Sequence, residues 1–192
     1  LGLTATPERA DGKSILVDFD DHIAAEIRLP DALNNKLLCP FQYFAVSDSV
    51  DLDNAKWLRG RYDVDELTKI YTNSEQRVRD IILNLSKYCN DINEVTALCF
   101  CISRDHANYM YRKFDAAGLH AQVLTSDNAQ ERTEILSRFK KKEFNYLFVV
   151  DMLNEGVDIP EVDTVLFLRP TESLTIFLQQ LGRGLRLHED KD

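Results

Sequence analysis

Apolar residues in this chain come in short, unbroken blocks. Tyr146-Leu147-Phe148-Val149-Val150 is one such block; a polar turn holding Asn154, Glu155, Gly156 and Asp158 follows, and then a second block, Thr164-Val165-Leu166-Phe167-Leu168. Blocks this short that are apolar at nearly every position predict strands buried on both faces. Ala97-Leu98-Cys99-Phe100-Cys101-Ile102 is read the same way, and His120-Ala121-Gln122-Val123-Leu124 is read as a further strand. Between them the spacing changes to that of helices, with Val78, Ile81, Ile82 and Leu85, then Ala107, Met110, Tyr111 and Phe114, then Ile135, Leu136 and Phe139 facing inward. Asn73 with Gln76 marks one helix start and Ser103 another, while Gly118 closes the second helix and Thr171 opens a last, apolar one that runs to Arg186.

Strand and helix in alternation predict an α/β fold with a parallel sheet flanked by helices, and residues 97–124 form one βαβ unit with a right-handed crossover. The front of the chain is less regular. A short strand and helical pieces are expected over residues 15–35, with a helix starting at Pro30, and Phe41-Gln42-Tyr43-Phe44-Ala45-Val46 reads as a strand. Residues 48–72 suggest a small helical insertion, two short helices around Gly60, in which Trp57, Tyr62 and Tyr71 pack a local core, with a stacking surface for bases as the alternative. Ligands of open α/β sheets collect beyond the carboxyl ends of the strands, so the Gly156/Asp158 turn and the Arg183/Arg186 segment are expected to line one crevice.

With 192 residues, 44% of them hydrophobic, the chain can bury one full core. The net charge of −9 argues against a broad basic face that coats nucleic acid, but leaves room for a narrow track of hydroxyls, backbone N–H groups and a few cations. Arg138-Phe139-Lys140-Lys141-Lys142 is one local patch, or a solvated helix end with cations at the negative dipole terminus. Cys39, Cys89, Cys99 and Cys101 lack metal-ligand spacing, and Cys99 and Cys101 read as small core residues on one face of a strand in a reducing cytoplasm. No apolar run reaches membrane-spanning length. The opening Leu1-Gly2-Leu3 looks like a strand already in progress, as in an excised piece of a longer chain.

Several of these segments resemble one family. Gly156-Val157-Asp158 and Gln179-Gln180-Leu181-Gly182-Arg183-Gly184-Leu185-Arg186 resemble motifs V and VI of superfamily 2 helicases, the second matching Q-x-x-G-R-x-x-R in full. Thr4-Ala5-Thr6-Pro7 resembles motif III, and residues 99–107 resemble motif IV. The resemblance is strongest to the branch holding restriction-enzyme motor subunits and Rad25-like helicases. It implies a RecA-like (P-loop NTPase-like) lobe, the second of two, over residues 19–192, with residues 1–18 a remnant of the first. It also implies that Arg186 and Arg183 reach ATP phosphates across the interdomain cleft, with Arg186 as an arginine finger. Gly156, Asp158, Gln179 and Gly182 would lie on the nucleotide side, and Thr4 and Thr6 would couple hydrolysis to lobe movement. Ser103, Arg104, Thr125, Ser126 and Asn154 would face a nucleic-acid backbone, DNA with RNA possible; a hydroxyl such as that of Thr125 also serves as an ordinary helix cap. ATP and Mg²⁺ would be bound mainly by the first lobe, which is itself a partner, and a nuclease or modification subunit is another.

Two apparent sites are rejected. Gly12-Lys13-Ser14 lacks the glycine of a phosphate-binding loop five positions earlier, where Pro7 stands, and Asp65-Glu66 follows no apolar strand. By itself, then, this chain is expected not to hydrolyse ATP. A binding module on the same scaffold and a nucleotide-sugar enzyme with a doubly wound sheet are the alternatives.

Overall fold

The computed structural model describes residues 14–52, 55–58, 61–150, 159–171, 173–189 and 191. A 3₁₀ turn, Leu16–Phe19, replaces the strand expected near Ile15, and the short helix α1, Leu29–Asn34, carries the predicted proline in its first turn. Residues 39–48 have no regular structure, so the strand expected at residues 41–46 does not form. The segment is a strap held by side chains, with Tyr43 edge-on to Phe177 and Phe44 stacked on Tyr88 at 4.1 Å. A cleft of about 680 Å³ separates it from the sheet. The insertion also differs from expectation: β1 (Trp57–Leu58) and β2 (Arg61–Tyr62) pair as an antiparallel hairpin, and among the described residues of the insertion only α2 (Val64–Thr72) is helical.

From there the chain follows the predicted order. α3 (Glu75–Tyr88) is capped by Ser74, one residue past the expected Asn73. β3 (Ala97–Phe100), α4 (Arg104–Ala116) and β4 (Ala121–Leu124) make the crossover unit, which turns at Gly118 with φ of +80°. A 3₁₀ turn, Ser126–Glu131, shortens the next helix to α5 (Arg132–Lys140). β5 (Tyr146–Val149), β6 (Thr164–Phe167) and α6 (Leu174–Gly184) complete the fold, with Ser173 rather than Thr171 at the start of α6.

The four long strands are parallel in the order β4-β5-β3-β6. All residues of the two central strands are buried, as their unbroken apolar runs require. Successive side chains divide between two cores. Ala97, Cys99, Tyr146 and Phe148 pack with α3 and α4, while Leu98, Phe100, Leu147 and Val149 pack with Ile135 and Phe139 of α5. Cys99 and Cys101 lie side by side in the first core, their thiols pushed well above the ordinary range by burial.

One charge is buried where these layers meet. Arg77 is 6% exposed. Its Nε donates to Asp48 of the strap at 2.8 Å, Nη2 to the Leu168 carbonyl at 3.0 Å, and Nη1 lies 3.3 Å from Nε2 of His106. The guanidinium also covers the Tyr71 ring at 3.9 Å. A guanidinium can only donate, so His106 must be neutral with Nε2 unprotonated. The Ile102 N–H, 3.4 Å from Nδ1, then faces a protonated nitrogen and is a contact rather than a bond. Burial, and then the Arg77 charge, hold the His106 pKa down to about 3, against 6.5 in a free chain.

Because the depressed pKa is that of the folded state, His106 contributes its full stability above pH 6.5 and loses it as pH falls toward about 3. Across that window, pH-dependent chemical denaturation should show a loss approaching about 1.4 kcal/mol per pH unit from this group. His106→Gln, whose amide oxygen can still accept from Arg77, should flatten that slope.

Candidate functional site

The carboxyl ends of β3 and β4 carry four of the predicted nucleic-acid residues. Ser103 caps α4 by accepting from the His106 N–H at 3.2 Å. Its proton is also committed. Thr68 Oγ1 of α2 lies 2.7 Å from the Val64 carbonyl and 2.7 Å from Ser103 Oγ. A hydroxyl carries one proton and a carbonyl only accepts, so Thr68 donates to Val64 and Ser103 donates to Thr68. Ser103 therefore joins α2 to α4. Thr125, 3% exposed, caps the following turn in a reciprocal arrangement with Asn128, whose side-chain oxygen accepts from the Thr125 N–H at 2.9 Å.

Arg104 and Ser126 are the exposed members of this group. Arg104 reaches across β5 to Asp127 at 2.5 Å, tying the β3 loop to the β4 loop, although the two strands are not neighbours in the sheet. Both partners are more than half exposed, at 56% and 59%, so the pair is worth at most about 1 kcal/mol. A phosphate oxygen could take the place of Asp127 at little cost.

Arg183 and Arg186 lie elsewhere. α6 runs back along β6, placing Phe177 beside Phe167 and Gly184 beside Val165, so the arginine segment ends near the amino end of β6. The segment thus lies toward the edge opposite Ser103 and Thr125, and the Gly156/Asp158 turn expected beside it lies outside the described residues. A helix following a parallel strand must return antiparallel to it, and the crossing reverses the edge.

The backbone of this segment is pinned at three points. A Cβ on Gly184 would meet Val165 Cγ2 at 2.9 Å, the Leu185 carbonyl accepts from the Cys39 N–H at 2.8 Å, and Lys191 Nζ donates to the carbonyls of Gly184 at 3.2 Å and Arg186 at 3.0 Å. Burial lowers the Lys191 pKa. Gly182 differs from Gly184, since a Cβ there would meet nothing within 4 Å among the described residues. Gln179, Gly182, Arg183 and Arg186 are all half-buried. Thr4, Thr6, Asn154, Gly156 and Asp158 lie outside the described residues.

Thr68, Asp127, Lys191 and the Asp48–Arg77–His106 set were not found by sequence reasoning. Only Arg77 left a signal. It shares the helical stripe of Ile81 and Leu85, so an arginine stood on an apolar face.

The two glycines of the arginine segment should respond in opposite ways. Gly184→Ala must displace a stiff β-branched side chain and should cost about 1–3 kcal/mol in thermal or urea unfolding. Gly182→Ala should leave stability unchanged or raise it by up to about 1 kcal/mol through helix propensity.

Comparison with known proteins accords with this geometry. The model of the helicase conserved C-terminal domain matches residues 73–188, from the start of α3 past the end of α6. The chain is 29% identical over 194 residues to the Saccharomyces cerevisiae protein named as an ATP-dependent helicase, IRC3, a match that covers 100% of this chain and 28% of that protein. It is 29% identical over 122 residues to the EcoKI type I restriction endonuclease subunit of Escherichia coli, covering 57% of this chain and 10% of that subunit. A solved fragment described as an HsdR subunit of a type I restriction enzyme from Vibrio vulnificus superposes with a TM-score of 0.74 at 23% identity, covering 97% of this chain and 36% of that one. The chain thus spans less than a third of the IRC3 relative's length. With its parallel RecA-like sheet and the Q-x-x-G-R-x-x-R segment at the end of α6, the chain belongs to the helicase conserved C-terminal domain family, among relatives in superfamily 2.

Proposed function

We propose that this chain is the second lobe of an ATP-driven superfamily 2 motor that moves on DNA, supplying an arginine finger and part of the nucleic-acid track. The observation that carries this reading is the pinned backbone of residues 184–186. A group that stabilises charge developing in a transition state contributes most when its position is fixed in advance. Here the close Gly184 contact, the Cys39 bond and the Lys191 clamp hold the main chain from which the Arg186 side chain extends.

ATP, bound with Mg²⁺ mainly on the preceding lobe, would supply the phosphoryl group. Arg186 would bring a planar guanidinium to the charge that spreads over the transferred group, and Arg183 would hold a second phosphate oxygen. Among the described residues nothing lies within 4 Å of a Cβ placed on Gly182, which leaves room for phosphates to approach the helix. On the carboxyl edge, the exposed Arg104 and Ser126 would contact the track directly. Ser103 and the buried Thr125, with their hydroxyls committed to caps, would hold the two loops in position. The kinship with a restriction endonuclease subunit favours DNA as the track.

The test is ATP hydrolysis by the full-length protein, with and without DNA. DNA should stimulate hydrolysis, and Arg186→Ala should lower kcat on the order of 10³-fold, the scale of an arginine finger, while ATP still binds. Arg186→Lys should not restore the rate, because an ammonium lacks the planar fork. An unchanged rate in Arg186→Ala would make the segment structural and favour a binding module.

A further inference from the structure

The hairpin of the insertion carries a large aromatic side chain that is more than half exposed. Trp57 is 57% exposed, and its ring meets Tyr62 edge-on at 4.7 Å. Tyr71, the third aromatic of the insertion, is instead buried against Arg77. The local core expected from the sequence therefore accounts for Tyr71 and leaves Trp57 outside.

The hairpin is not a loose appendage. Asp63 caps α2 by accepting from the Glu66 N–H at 3.0 Å, and its own N–H donates to the Lys56 carbonyl at 2.9 Å. Glu66 Oε2 in turn accepts from the Lys56 N–H at 2.9 Å. The strand bearing Trp57 is thus braced on the first turn of α2. One turn further along, Thr68 ties the same helix to Ser103 at the carboxyl edge of the sheet. The brace on the hairpin and the tie to Ser103 thus both start from one short stretch of chain, residues 63–68.

We propose that Trp57 is a stacking platform for a base of single-stranded nucleic acid bound across the carboxyl edge of this lobe. The inference rests on the track reading above and adds to it the kind of contact made. Phosphate attraction is not what the hairpin offers. Lys56, Arg59 and Arg61 are matched by Asp63, Asp65 and Glu66 in the same short stretch, so its local charge is balanced within a chain of net charge −9. A large π face does not need net charge, and it accepts any base because every base has a π face. The contact should accordingly be indifferent to sequence and nearly indifferent to salt, unlike contacts to phosphate.

The experiment measures binding of the full-length protein to a fluorescent oligothymidylate and to an abasic oligonucleotide of equal length, by anisotropy at two salt concentrations. Trp57→Ala should weaken oligothymidylate binding roughly tenfold, within the range of alanine substitutions at stacking sites, and leave abasic binding unchanged. Trp57→Phe should restore most of the affinity, and the ratio between wild type and Trp57→Ala should hold at both salt concentrations. Equal loss on both oligonucleotides, or no loss on either, overturns the stacking contact while the track reading stands. If the wild-type protein binds neither oligonucleotide, the track reading fails and the stacking contact with it.

Discussion

The buried guanidinium of Arg77 is the constraint on which the arrangement of this lobe turns. Taking a charge out of water is costly, and a fold tolerates it only when the groups around the charge are held in place. Here they come from four parts of the chain outside α3: Asp48 of the strap, Tyr71 of α2, His106 of α4, and the Leu168 carbonyl just past β6. The same residue thus fixes where the loop after β3 begins, how the insertion docks and where the strap passes. Apolar packing sets the layers of the sheet and helices, but this one charge sets how the carboxyl ends of β3 and β6 are dressed.

The sheet was legible because burial on both faces leaves a local trace. Residues 97–102 and 146–150 are apolar without interruption, and each run contains a fully buried central strand, residues 97–100 and 146–149. The strap shows the limit of that logic. Its apolar run has the composition of a strand, but a strand exists only if a neighbour supplies the ladder, and here a cleft separates the run from the sheet. Aromatic contacts to α3 and α6 hold it instead. The hairpin escaped notice for the related reason that two-residue strands are too short to show a period.

At the site, chemistry was legible and geometry was not. The arginine segment declares itself by residue type and spacing, yet its edge of the sheet depends on the direction in which α6 returns. The hydroxyls of Ser103 and Thr125 stood where caps are expected, but nothing local says that the first is committed to Thr68 or that the second is covered. Lys191 illustrates the same point, since its role depends on carbonyls that only the folded chain brings within reach.

The close approach of Gly184 to Val165 has an evolutionary corollary. The two positions belong to different elements, and the space available to one is what the other leaves. Lineages of this lobe that place a larger side chain at 184 should therefore carry a smaller one at 165, whereas position 182 has no such pairing among the described residues. A glycine that persists at 182 without that packing demand would mark pressure from something outside the lobe.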